Sequence, residues 1–169
     1  MRIYLVRHGE SVDRIPGMPD SARHLSARGR VEFRGMAHRF RDAGALPTRI
    51  FTSPFVRAVQ TAEILAETLR YDGEVAVAAQ LSPGFDLEGL NAVLDGSPGE
   101  PEIAFVGHEP DLGAVLSRLL ALPGGYAMRK GSIAALDLPD FGDRLRAAFA
   151  WLLAGDRRIE DPAMLSPRE

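Results

Sequence analysis

Three short stretches of the chain carry side chains that can do chemistry. Arg7-His8-Gly9 closes "RIYLVRHG", Ser53-Pro54 leads into Arg57 in "SPFVRAVQ", and Gly107-His108-Glu109 lies in "VGHEPDL". Each stretch sets a cation or an imidazole where an apolar run stops. Two guanidiniums and two imidazoles around one small volume suit a phosphoryl group. A guanidinium offers a planar fork of donors and stays charged at any working pH. An imidazole with one unprotonated ring nitrogen can attack phosphorus, and a ring N–H can donate to it. Gly9 would let the backbone pass close to a ligand and leave a carbonyl to hold the second nitrogen of His8. Ser53 either orients the pocket through its hydroxyl or only starts the turn. Glu109 offers its backbone N–H more than its carboxylate.

These residues need a scaffold that brings three segments together, and the punctuation of the chain predicts one. "RIYLVR" (2–7), "RIFTS" (49–53), "EVAVA" (74–78) and "EIAFVG" (102–107) are short apolar runs that read as strands. Between them lie helical patterns. Ser26 suits an N-cap, Phe33, Met36, Ala37 and Phe40 share one face, and Gly44 is a stop. A second helix runs from Arg57 to Leu69, a short one falls within 81–96, and another starts near Pro110 and ends at Gly124. Residues 11–25, with two prolines and mixed charges, read as a loop. "SIAALDL" (132–138) alternates weakly, and Pro139–Gly142 resembles a turn. The segment 144–155 favours helix by composition, but Leu145, Ala147, Phe149, Trp151 and Leu153 alternate, which predicts a strand and hence a hairpin. Residues 156–169 read as a loosely held tail behind a domain of residues 1–155.

Alternating strands and helices predict an α/β fold with a largely parallel sheet and helices on both faces. Ligands of such sheets sit at the carboxyl ends of the strands, where the three reactive stretches fall. The helix starting near Pro110 would also aim its amides and dipole at an anion.

Composition sets the outer bounds. The 169 residues suit one domain, 46% hydrophobic and 25% charged. A net charge of −3 argues against a nucleic-acid-binding surface. There is no cysteine, which excludes disulfides, thiolate metal sites and cysteine-nucleophile phosphatase chemistry. No targeting segment is visible, and the longest apolar run, residues 147–155, is too short to span a membrane. The cytosol is the expected compartment, and a monomer the expected state.

"VRHGES" (6–11) resembles the RHG signature of the histidine phosphatase (phosphoglycerate-mutase-like) superfamily. "SPFVRAVQTAEIL" (53–65) is similar to its second motif and "VGHEPDL" (106–112) to its third. "HLSARG" (24–29) resembles the leucine–threonine–glycine element of the first helix, with serine in place of threonine. The four elements occur in the family's order, over residues 2 to about 138. The resemblance implies a three-layer α/β/α sandwich in which His8 is the nucleophile and forms a phosphohistidine intermediate. Arg7 and Arg57 would clamp the phosphoryl oxygens, and His108 would donate to the same group. It implies no metal and no cofactor. Within the superfamily the chain looks closest to the small SixA-type phosphohistidine phosphatases, on its length and on "GSIAALDL" (131–138).

Leaving-group chemistry points the same way. An alkoxide needs an acid to protonate it as it departs. The corresponding region here, "LSPGFDLEGL", offers only Asp86 and Glu88. A departing imidazole, with a conjugate acid near pKa ~6.5, needs less help. The expected partner is therefore a phosphorylated protein, such as the histidine-phosphotransfer domain of a two-component relay. A phosphomonoesterase acting on a small metabolite is the alternative, and a non-catalytic phosphoprotein-binding module a third. Arg23 at the entrance would suit a phosphorylated partner, His24 could line the pocket mouth, and Lys130 could border the site. His38 reads as surface. "MRKGS" (128–132) is not a phosphate-binding P-loop, since Arg129 replaces the glycine before the lysine.

Overall fold

Alternation of apolar residues on both faces makes the first six-residue run a buried central strand, and the rest of the chain is laid around it. The computed structural model of the chain describes residues 1–139 and 146–165. In order, the elements are β1 (Arg2–Arg7), α1 (Ala27–Asp42), β2 (Arg49–Thr52), α2 (Val56–Leu69), β3 (Val75–Val77), α3 (Leu87–Asp95), β4 (Glu102–Gly107), α4 (Asp111–Leu119), β5 (Ile133–Asp137), β6 (Ala148–Ala154) and β7 (Arg157–Ile159).

The strands form one sheet in the order β3-β2-β4-β1-β5-β6-β7. The sheet is mixed. β3, β2, β4 and β1 run parallel, whereas β5, β6 and β7 fold back as an antiparallel meander. The parallel half positions the site: β2, β4 and β1 are neighbours, so their carboxyl ends open at one edge. Tyr4 and Val6 pack with α1 and α2 on one face, among Phe33, Phe40, Ala62 and Leu65. Ile3 and Leu5 pack with α3 and α4 on the other, among Leu90, Leu94, Leu112 and Leu116. The result is the expected three-layer sandwich, a helical layer against each face of the sheet.

The α1 pattern holds in detail. The Ser26 hydroxyl accepts from the Gly29 amide at 2.9 Å, and the buried face is Gly29, Phe33, Met36, Ala37 and Phe40. His38 is exposed. Three expectations needed correction. α4 stops at Leu119, not Gly124, because Ala121 turns to φ 52° and Leu122 precedes a proline that disfavours helix. The predicted strand is present as β6, but a register shift opposite Ala135/Leu136 breaks its alternation. Trp151 and Leu153 face the α1/α2 side while Phe149 packs on the other, as a bulge requires. Part of the expected tail is built into the sheet: Arg157–Ile159 pairs with β6, and Ile159 and Leu165 are buried. Of the expected turn at 139–142, residues 140–142 lie outside the described residues, as does Leu145. Among the described residues no helix is long and apolar enough to cross a membrane.

Candidate active site

His8 follows β1 directly and is pinned from both sides. Its amide donates to the Gly107 carbonyl at 3.1 Å, and its own carbonyl accepts from the Gly131 amide at 3.0 Å. The side chain is 7% exposed. Its Nδ1 lies 2.6 Å from the Gly9 carbonyl, and Arg57 donates from Nε to its Nε2 at 3.2 Å. A guanidinium can only donate and a carbonyl can only accept. Nδ1 therefore carries the ring proton and Nε2 presents a lone pair. Burial pushes the His8 pKa down to about 3, against the Gly9 bond, with the charges of His108, Arg57 and Arg7 pushing it further.

Arg57 enters the site from the first turn of α2. The turn before it is set by Ser53, whose Oγ accepts from the Phe55 amide at 3.2 Å. The guanidinium lies 5.1 Å from the centroid of the Phe55 ring, and the residue is only 6% exposed. Its two Nη groups go to a residue of the 11–25 loop: Nη1 donates to the Asp20 carbonyl at 2.7 Å and Nη2 to its Oδ2 at 3.0 Å. The Asp20 carboxyl is held down at about 2, first by the hydrogen bond from Arg23 and then by Arg57, against partial burial.

His108 follows β4 and is 4% exposed, its ring 5.2 Å from that of His8. Its Nε2 lies 2.7 Å from Ser53 Oγ, and its buried Nδ1 has no hydrogen-bond partner among the described residues. Ser53 Oγ accepts from Phe55 and keeps one hydrogen that can go to Nε2. In the tautomer where it does, a neutral His108 carries its proton on Nδ1, an N–H open to an incoming oxyanion. Burial lowers the His108 pKa to about 4, helped by Arg57 and Arg7 and opposed by Asp20. Arg7, the last residue of β1, donates from Nη1 to the Met128 carbonyl. Four of the expected residues, His8, Arg7, Arg57 and His108, are thus gathered with Ser53 at one sheet edge.

Others of the expected set behave differently. Gly9 provides the carbonyl for His8, as expected, but its small size serves packing: an added Cβ would stand 3.3 Å from Leu25 Cδ2 and from the Gly29 carbonyl. Its amide is taken by Thr61 Oγ1 at 3.1 Å. The N-terminus of α4 is likewise occupied from within, since the Glu109 carboxylate accepts from the Gly113 amide at 2.8 Å. Burial raises the Glu109 pKa, against Arg7 and the amides of Gly113 and Met128. Arg23 keeps its donors inside the loop, bonding Val12 O, Asp20 Oδ1 and Ser11 Oγ. His24 Nδ1 sits 2.9 Å from the Leu25 carbonyl. Lys130 lines a groove of about 630 Å3 with Gly9, Glu10 and α1 residues, which neither His8 nor His108 touches.

Among the described residues neither Asp86 nor Glu88 is hydrogen-bonded to His8, Arg57 or His108. Asp86 caps α3, accepting from the Gly89 amide at 2.9 Å. With Ala114, Val115 and Arg118 both carboxylates line a separate cavity of about 240 Å3. Among the described residues no group of three or more ligating side chains could hold a metal ion.

Sequence reasoning passed over Asp20, Thr61 and Gln60. Thr61 stands one helical turn after Arg57 and accepts the Gly9 amide while donating to the Arg57 carbonyl at 2.7 Å. Gln60 Oε1 accepts from the Leu25 amide at 2.7 Å and ties the loop base to α2. The spacing of Arg57 and Thr61 was a usable signal for the second; for Asp20 there was none.

The model of the histidine phosphatase superfamily (branch 1) matches residues 3–83. An uncharacterized protein of Picosynechococcus sp. is 36% identical over 115 residues, which cover 67% of this chain and 69% of that protein. Phosphohistidine phosphatase SixA of Escherichia coli is 26% identical over 156 residues, covering 91% of this chain and 94% of SixA. The solved structure of the protein histidine phosphatase SixA complexed with tungstate has a TM-score of 0.78 at 24% identity, covering 98% of this chain and all of that one.

Proposed function

Because the chain belongs to the histidine phosphatase superfamily and is thus a phosphatase, we propose that its substrate is phosphohistidine on a signalling protein and that Nε2 of His8 carries the phosphoryl group in transit. The observation that carries this reading is the His8 tautomer. Its proton is held on Nδ1 by the Gly9 carbonyl, so a lone pair on Nε2 faces the cluster of guanidiniums.

In the first step the Nε2 lone pair forms a bond to phosphorus as the bond from phosphorus to the substrate's ring nitrogen breaks. The substrate imidazole leaves neutral when its other nitrogen carries a proton. Arg57 and Arg7 follow the phosphoryl oxygens, and His108 Nδ1–H donates to one of them. In the second step water adds to phosphorus, the bond to Nε2 breaks, and the proton of water passes to the phosphate released. His8 returns as the Nδ1–H tautomer.

Two features support phosphohistidine over an ester. One phosphorus–nitrogen bond is exchanged for another, so the first step has little energetic slope. The candidate acids Asp86 and Glu88 stand at α3, which suits a leaving group that needs little protonation. The E. coli relative named as a phosphohistidine phosphatase adds to this. A second reading, hydrolysis of small phosphate esters, is favoured by Glu109, a half-buried carboxyl near Arg7 whose pKa burial raises. The test compares kcat/KM for a phosphohistidine protein with a panel of small phosphate esters. A wide margin for the phosphoprotein supports the proposal. A wide margin for esters, lost in Glu109→Gln, supports the second reading.

A further inference from the structure

The loop between β1 and α1 places a carboxylate on the guanidinium that the proposed reaction gives to the phosphoryl group. Asp20 takes both Nη groups of the buried Arg57, through its carbonyl at 2.7 Å and Oδ2 at 3.0 Å. Three of the five N–H groups of Arg57 are engaged, one on His8 and two on Asp20, so a phosphoryl group that takes the edge facing Asp20 has to displace it. The loop is built for such an exchange. Its base is fixed by the Val12 amide on the His24 carbonyl, the Ser26 amide on the Glu10 carbonyl and the Leu25 amide on Gln60. Its tip, residues 13–17, is exposed. A released Asp20 keeps cationic partners: Arg23 is already 2.9 Å from Oδ1, and Arg14, 80% exposed, stands 3.6 Å away.

We propose that Asp20 is a specificity-determining residue that competes with the phosphoryl group for Arg57, so that substrates offering contacts beyond their phosphate are favoured over small phosphate esters. A small ester brings only its phosphoryl group to the exchange. A protein can also cover Ile15, 53% exposed at the loop tip, and engage Arg14. This rests on the proposed protein substrate for its biological sense, while the competition itself is independent of it.

The test is calorimetric titration of sodium tungstate into the wild type, Asp20→Asn, Asp20→Ala and Asp20→Glu, with kcat/KM for a phosphohistidine protein and for a small ester alongside. Removing the competing carboxylate is expected to tighten tungstate about tenfold, the scale of one hydrogen bond to a charged group. Asp20→Glu, which keeps the carboxylate, is expected to stay near the wild type. Asp20→Asn should raise kcat/KM for the ester about tenfold, the same scale, and raise it by less for the phosphoprotein, whose contacts with the loop tip already draw the loop off Arg57. Unchanged or weaker tungstate binding in Asp20→Asn and Asp20→Ala overturns the proposal and makes Asp20 a support for Arg57. So does Asp20→Glu binding as tightly as Asp20→Asn, or a selectivity ratio that stays constant. Failure of the wild type to turn over the phosphohistidine protein, with tungstate tightened as expected, removes the proposed substrate but not the competition.

Discussion

Nε of Arg57 faces Nε2 of His8 at 3.2 Å, while the other ring nitrogen of His8 is bound to the Gly9 carbonyl. An arginine that cannot give up its proton thus selects the tautomer of the histidine beside it. The same guanidinium that would clamp the phosphoryl group keeps unprotonated the nitrogen proposed as nucleophile.

His8→Ala should therefore end turnover, since it removes the unprotonated ring nitrogen that faces Arg57 and with it the covalent route. Arg57→Ala should lower kcat/KM by ~10²–10³, the usual loss for one preorganised donor to a developing charge. Arg57→Lys should restore little of it, because an ammonium lacks the fork and the directed Nε–H. Steady-state kinetics on a phosphohistidine protein checks all three.

The acid limb of kcat/KM should lie well below the ordinary histidine value, because His8 and His108 are lowered to about 3 and about 4. Stability follows the same protons. Both pKa values are depressed in the fold, so the unfolded chain binds more protons between pH ~6.5 and the folded values. Stability is full above the unfolded pKa and is lost as pH falls through that window. Thermal unfolding followed from pH 8 to 4 should show Tm falling below about pH 6.5, and His8→Ala should lessen the fall.

Ser53→Ala should free Nε2 of His108 and let the ring proton choose either nitrogen. The expected loss in kcat is about tenfold, less than removal of the donor in His108→Ala. Proton NMR of the imidazole N–H in wild type and variant would show the tautomer directly.

Much of this site was legible in the primary structure because its parts end strands. His8, Ser53 and His108 each follow an apolar run, and adjacent parallel strands bring such ends together. The α1 face was legible through its period and its Ser26 cap. What could not be read were contacts between segments without period. Asp20 meets Arg57 across 37 residues, from a loop whose composition says only that it is a loop. The Glu109 carboxylate turns back to cap its own helix, which depends on how α4 leaves β4. The bulge in β6 shifts Phe149 to the opposite face without any mark in the alternation.

Asp86 separates structure from chemistry. As the N-cap of α3 its replacement in Asp86→Ala should cost about 1 kcal/mol of stability. Turnover of the phosphoprotein should be unchanged in Asp86→Ala and in Glu88→Gln. Loss of rate at unchanged Tm would instead return one of these carboxyls to the reaction.

The most direct measurement is rapid quenching of the enzyme during turnover of a phosphohistidine protein, at alkaline pH to preserve the phosphorus–nitrogen bond, followed by peptide mapping. An acid-labile phosphoryl group on His8, formed and lost at rates that match turnover and absent in His8→Ala, is the predicted result. Turnover with no phosphoryl group on His8 at any time would contradict the account.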